Sequence, residues 1–225
     1  MSIWSELSRE ALPGLGRVKR LLARLGHPEE GLPVIQVGGT HGKTSVIGMV
    51  ESVLNAAGVP VGVVTSLDRP QPWTAARLQG EPLPPERLEG LVVQALRTWE
   101  DFVEVGRPTA QEAVLAAALA HFAAQEAALV LLERTIGGPW DPTNCVRPQL
   151  SLLTDVFPPE GAEWEAKGLV QSGVPLLTPV EDEAVVAVAE ACQAAGAALS
   201  LVDARDVELL DLRWERAVWR SLTDP

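Results

Sequence analysis

Lys43, Thr44 and Ser45 follow directly on Gly39, Thr40, His41 and Gly42 in the stretch VIQVGGTHGKTSVIG. A mobile ammonium, hydroxyls and two glycines within seven residues suit one chemistry above others, the binding of a polyphosphate. Backbone N–H groups converge where a strand turns into a helix, and the helix dipole adds positive potential there. Glycine lets the chain come close to an anion and adopt backbone conformations closed to other residues. Lys43 supplies charge for the outer phosphates, and the hydroxyl of Thr44 or Ser45 suits a magnesium ion. The common eight-residue phosphate loop, G-x-x-x-x-G-K-[ST], needs glycine at position 37, where this chain has Val37. The loop is therefore a shorter variant.

Such a turn works only if strand and helix hold it. The β-branched run VIQV after Pro33 reads as a buried strand, and the segment from the turn to about Ala57 as a helix stopped by Gly58. VGVV at 61–64 reads as the next strand, which makes a βαβ unit and implies a parallel sheet. Before it, RVKRLLARL at 17–25 has helical spacing and ends at Gly26. After it, 66–85 carries five prolines and no sustained period, which predicts a long loop. One helix is expected over about 85–104, and another opens at Thr109, where TAQE has capping-box form with Glu112. ALVLLE at 128–133 predicts a strand ending in an acid, and LSLLTDV at 150–156 another. VPLLT and ALSLV continue the alternation around a helix over 182–195. The closing LLDLRWERAVWRS fits either a strand pair or a helix. The expected fold is α/β, a doubly wound, mostly parallel sheet with a P-loop. The expected organisation is one P-loop, nucleotide-binding domain over 1–225 with an N-terminal helical segment.

Composition limits the partners. The formal net charge of −12 argues against nucleic acid or an acidic membrane as the main ligand, since both need a basic footprint. Cys145 and Cys192 lie far apart without metal-ligand spacing. The first residues lack the apolar core of a signal peptide. The longest apolar stretch, 113–124, is too short to span a bilayer and contains His121. The expectation is a cytoplasmic protein.

The loop GTHGKTS resembles the short phosphate loop of the Mur ligase superfamily, and the likeness is closest to its folylpolyglutamate synthase and dihydrofolate synthase branch. That branch reads approximately L-x-x-L-G-x-P, then L-P-V-I-x-V-x-G-T-N-G-K-G-S; this chain has LLARLGHPEEGLPVIQVGGTHGKTS. VVTSLDRP, RLQGEPLP, TAQE and LLERTIGGPWDPTN then match further family segments in order, over about residues 17–178. The resemblance implies the Mur ligase central-domain fold and ATP-dependent amide formation. There a carboxylate takes the γ-phosphate and an amine displaces it. A carboxylate-bearing small molecule and glutamate are the implied substrates, with ATP and Mg2+. Carried over by position, Lys43 and Glu133 are the catalytic candidates. Gly39, Thr40, His41, Gly42, Lys43, Thr44, Ser45 and Asn144 are the nucleotide-binding candidates. Thr44, Ser66 and Glu133 are the metal candidates. Asp141, Thr143 and Asn144 of DPTN also suit the organisation of a turn.

The pattern departs from the family on the catalytic side. Family members follow the strand at 150–156 with T-N-I-G-x-D-H; this chain has LTDVFPPEGAEWEAKG, without the histidine. The family's E-K-A-G-I segment, whose lysine is modified in many members, aligns with Glu165 and Ala166, and Lys167 falls one residue later. One residue turns a helical side chain by about 100°, which makes Lys167 a surface residue unless the register shifts. Asp68 and Arg69 stand where the family binds its pterin-bearing substrate, and Arg134 and Thr135 replace a valine and a glycine. The family's C-terminal domain has no counterpart in these residues. Two expectations follow: a ligase half completed by a partner protein or a second copy, or a non-catalytic nucleotide-binding relative.

Overall fold

The computed structural model describes residues 3–8, 14–65, 67, 71–97, 106–180, 183–203, 207–213 and 216–221. Their order is α1 (Gly16–Arg24), β1 (Val34–Gly38), α2 (Lys43–Ala56), β2 (Val61–Val64), β3 (Ala76–Leu78), β4 (Glu81–Pro82), α3 (Pro85–Leu96), α4 (Ala110–Ala124), β5 (Leu129–Glu133), β6 (Leu150–Leu153), α5 (Ala162–Leu169), β7 (Leu176–Thr178), α6 (Ala184–Ala195), β8 (Leu199–Leu201), β9 (Val207–Arg213) and β10 (Arg216–Ser221).

Eight strands form one sheet in the order β4-β3-β2-β5-β1-β6-β7-β8. Every pairing from β2 to β8 is parallel, and β3 and β4 add antiparallel at one edge. The sheet is thus the mostly parallel α/β sheet expected. β1 lies between β5 and β6, with Val37 opposite both Glu133 and Leu152. The chain leaves β1 towards β2 on one side, and leaves β5 towards β6 on the other. Crevices at the carboxyl ends of strands, where the connections diverge, are where open sheets take ligands.

Side-chain alternation sorts the strands into two faces. Val37, Val61, Val63 and Leu131 pack with Ile47 of α2 on one. Val34, Val64, Val130 and Leu132 turn to the other, against α1, α3 and α4. Helices α5 and α6 pack over Leu153 and Leu176 in a further cluster. Gly62 has a packing reason: a Cβ there would stand 2.7 Å from the Phe122 ring of α4. Thr109 caps α4 with the reciprocal Glu112 bond of a capping box. Glu112, 2% exposed, also takes Arg17 Nε at 3.0 and 3.1 Å, which ties α1 to the start of α4.

Two expectations need revision, for the segment 66–85 and for the strand at 150–156, and two others are settled or met as far as the described residues reach. The region read as a long loop contains the β3–β4 hairpin, turned through Gln79 and Gly80, both at positive φ. Two residues of left-handed backbone are the geometry a tight hairpin requires, and the prolines around them hide it. The helix expected over 85–104 runs from Pro85 to Leu96 in the described residues, and 98–105 lie outside them. The strand expected over 150–156 closes at Leu153, and its last three residues turn towards the phosphate loop. The ambiguous final segment is a strand pair, with β9 and β10 antiparallel in a separate two-stranded sheet. Among the described residues no helix is long and apolar enough to cross a membrane.

Removing one partner of a buried ion pair costs about 3–5 kcal/mol. Glu112→Ala, which removes both the cap and the carboxylate facing Arg17, is expected to lower the unfolding free energy by about that amount. Urea denaturation of the variant beside wild type measures it.

Candidate functional site

The turn between β1 and α2 is built on two left-handed glycines. Gly42, at φ 78°, immediately precedes α2, and Gly39 lies at φ 121°. A Cβ on Gly39 would collide with Thr154 Oγ1 and press on the Asp155 backbone, so position 39 is closed to other residues twice over. The first turn of α2 directs the N–H groups of Gly42, Lys43, Thr44 and Ser45 out of the helix end, without an acceptor among the described residues. Thr44 Oγ1 stands 3.0 Å from both carboxylate oxygens of Glu133, at the carboxyl end of β5. Lys43 Nζ folds back over the turn and donates to the carbonyls of Gly39, at 2.7 Å, and Thr40, at 3.3 Å.

The earlier half of the loop departs from expectation. Thr40 and His41 donate their N–H groups to Asp155 Oδ1 at 2.8 and 2.7 Å, and the His41 ring meets Oδ2 at 2.9 Å. Gly39 donates its N–H to Glu165 Oε1 at 3.3 Å. Of the seven nucleotide-binding candidates in the loop, Gly39, Thr40 and His41 thus have their N–H groups bonded to side chains of the protein. Further bonds fasten the loop to the chain after β6: Thr154 Oγ1 donates to the carbonyls of Gly38 and His41, and Thr40 Oγ1 bonds both N and O of Phe157. Burial would raise the Asp155 carboxyl, but the His41 N–H and ring and the Thr40 N–H outweigh it and hold it below the ordinary aspartate value. With the folded value depressed, these bonds are complete at neutral pH and are lost only as pH falls through that lowered value.

The segment after β5 is organised by Asp141, which is fully buried. Its Oδ2 accepts the N–H groups of Thr135, Ile136 and Gly137 at 2.7 to 3.0 Å, and its Oδ1 accepts the N–H and hydroxyl of Thr143. Asn144 belongs to this turn. Its amide donates to the carbonyls of Gly138 and Pro139 and its oxygen accepts from Gln36 Nε2 at 3.0 Å, so the side chain expected as a nucleotide contact is committed within the protein. Ser66, Asp68 and Arg69 lie outside the described residues.

On the α5 side, Glu165 faces inward, with Oε2 accepting from Gly138 N and Oε1 3.4 Å from Arg134 Nε. Arg134 is 2% exposed and also donates through Nη2 to the Gly138 carbonyl. Lys167 points outward, 59% exposed in its side chain, and pairs with Glu163 one helical turn earlier. A pocket of about 250 Å3 opens between these parts, with Thr40 and Lys43 on one wall and Ile136, Phe157, Trp164 and Glu165 around it. Asp155 and Arg134 were not among the expected site residues. An acid immediately after a strand's carboxyl end, Thr154-Asp155, was the available signal for the first.

No protein-family profile matches the sequence. The dihydrofolate synthase/folylpolyglutamate synthase of Bacillus subtilis is 35% identical over 185 residues, 75% of this chain and 42% of that protein. The solved folylpolyglutamate synthase of Thermotoga maritima superposes with a TM-score of 0.82 at 27% identity, over 96% of this chain and 53% of that one. The chain belongs to the folylpolyglutamate synthase/dihydrofolate synthase family. A complex of a folylpolyglutamate synthase with AMPPCP and folate gives a TM-score of 0.83 at 26% identity, covering 97% of this chain and 58% of that one. The chain therefore spans about half the length of these family members, and its sheet is the Mur ligase fold.

Forcing a side chain into a strained, crowded backbone position costs about 1–3 kcal/mol. Gly39→Ala is expected to destabilise the protein by at least that much and to broaden the amide signals of residues 38–42. Urea unfolding and a 15N NMR spectrum check both effects.

Proposed function

We propose that this chain is the nucleotide-binding part of an ATP-dependent ligase that joins a carboxylate-bearing small molecule to an amine, with glutamate the favoured amine. The observation that carries this reading is the open first turn of α2, with Lys43 and the Thr44–Glu133 pair beside it, at the carboxyl edge of a family-type sheet. The N–H groups of Gly42 to Ser45 hold the phosphate oxygens. The Lys43 ammonium, released from the loop carbonyls, moves to the outer phosphates and neutralises charge that develops during transfer. The hydroxyl and carboxylate oxygens of Thr44 and Glu133 fit Mg2+, which takes one or two protein oxygens and completes its shell with phosphates and water. When bound, such an ion neutralises phosphate charge and orients the oxygens in line. Ser66 is a third candidate ligand by family position.

On this reading the acceptor carboxylate enters the pocket lined by Lys43, beside the outer phosphate. Phe157, Trp164 and Ile136, all more than half exposed, give its rim an apolar character suited to a body larger than the carboxylate. The relatives are about twice as long, so the full reaction on this reading also needs further protein, from the same polypeptide, a partner or a second copy. A second reading, nucleotide binding without turnover, draws support from α5: Ala166 is buried where the family has its lysine, and Lys167 is bound to Glu163 at the surface.

MgATP at 100 times its Kd is expected to stabilise the wild-type protein by about 2.7 kcal/mol, a rise of several degrees in Tm. Lys43→Ala is expected to abolish the rise. Absence of both the shift and calorimetric heat, in wild type and in an Asp155→Asn variant alike, would remove the nucleotide reading. ADP release that needs both a carboxylate and glutamate favours the ligase, and binding without ADP release favours the second reading for this chain.

A further inference from the structure

The phosphate loop is already serving an anion. Asp155 Oδ1 takes two consecutive loop N–H groups, Thr40 at 2.8 Å and His41 at 2.7 Å, while Oδ2 meets the His41 ring. Two adjacent amides converging on one oxygen are the arrangement by which backbone nests bind phosphate. On the same loop the Lys43 ammonium is turned back onto the carbonyls of Gly39 and Thr40. The described structure thus satisfies internally two groups of donors that a polyphosphate would use, and leaves the amides of Gly42 to Ser45 open.

We propose that Asp155 is a built-in competitor for the phosphate loop, a carboxylate latch that a polyphosphate must displace to gain the Thr40 and His41 amides. This rests on the nucleotide reading of the loop. Two physical points favour a latch over a passive brace. An N–H makes one well-aligned bond, so the His41 amide aimed at Oδ1 is withdrawn from a ligand, and the Thr40 amide is shared between Oδ1 at 2.8 Å and the Asp155 carbonyl at 3.3 Å. A brace also needs no charge: an asparagine oxygen would accept the same two N–H groups, whereas a carboxylate repels an incoming polyanion. The latch has room to leave. The Asp155 side chain is 37% exposed and His41 is 70% exposed, at the surface rather than in the core. The remaining ties between the loop and the chain after β6, through Thr154, Thr40 Oγ1 and the weaker Thr40 N–H bond to the Asp155 carbonyl at 3.3 Å, do not involve the carboxylate and hold the loop when it swings out.

Asp155→Asn keeps the size and the acceptor oxygen and removes the charge, so it separates the two roles. Calorimetric titration with MgATP, and with tripolyphosphate as a base-free probe, is expected to give at least fivefold tighter binding to the variant than to wild type. In 15N spectra of wild type, tripolyphosphate is expected to shift the Thr40 and His41 amides along with those of Gly42 to Ser45. Binding to the variant when wild type shows none would support the latch more strongly still. Equal or weaker binding to a folded variant, or phosphate binding that leaves the Thr40 and His41 amides unmoved, would overturn the latch and leave the nucleotide site standing. Failure of both proteins to bind either probe would overturn the latch and the nucleotide reading together.

Discussion

The N–H groups at the start of α2 have no acceptor within the helix, and the rest of the site is arranged around that deficit. β1 delivers the chain to them from the centre of the sheet, with β5 and β6 on either side. Because both neighbours run parallel to β1, their carboxyl ends rise beside the same turn. β5 brings Glu133 to Thr44, and the residues after β6 bring Thr154 and Asp155 to the loop backbone. A helix N-terminus alone would be a diffuse anion site. Here the left-handed Gly39 and Gly42 fix its approach, and the parallel register fixes what stands next to it.

Acidic side chains do much of the work that regular secondary structure does elsewhere. Asp141, Asp155 and Glu165 together take N–H groups from Gly39, Thr40, His41, Thr135, Ile136, Gly137, Gly138 and Thr143. Loop amides left without partners would be costly to bury, and a carboxylate satisfies several at once because each oxygen accepts more than one bond. Part of the −12 net charge is therefore tied into loop structure around the site and is not a free acidic surface. The proposed polyphosphate site is compatible with so acidic a chain for a further reason. Its positive potential comes from oriented backbone and a nearby ammonium, which composition does not register.

The elements around the site were legible where local rules act. VIQV, VGVV and ALVLLE announce buried parallel strands, GTHGKTS announces the turn, and TAQE announces the cap of α4. What escaped was long-range pairing. No periodicity shows that Asp155 lies against Thr40 and His41, more than a hundred residues away, because the contact arises from β1 and β6 being neighbours. The β3–β4 hairpin was obscured for a different reason: its strands are only three and two residues long, and the surrounding prolines dominate a window of that size. Asn144 illustrates a third limit. Its place in DPTN fits both a turn and a ligand contact, and only the bonds to Gly138, Pro139 and Gln36 separate them.

The α5 register carries the argument one step further. Three successive residues, Glu165, Ala166 and Lys167, sit about 100° apart around the helix axis. Glu165 faces the loop, Ala166 is buried, and Lys167 reaches solvent and pairs with Glu163. Turning Lys167 inward would carry Glu165 away from Gly39 and Gly138 and drive a larger side chain into the space Ala166 fills. The register is further pinned by Gly168, where a Cβ would collide with Arg134 and the Gly138 carbonyl. The cation beside Glu165 therefore comes from the strand side, through Arg134, at a position where the family pattern has valine. Glu165 accepts from Gly39 N and Gly138 N, one on each oxygen, and stands 3.4 Å from Arg134 Nε, so both of its oxygens are engaged inside the protein. On the proposed reading, the oxygens offered to a divalent ion lie on the α2 side of the turn, at Thr44 and Glu133. The α5 side serves to position the loop.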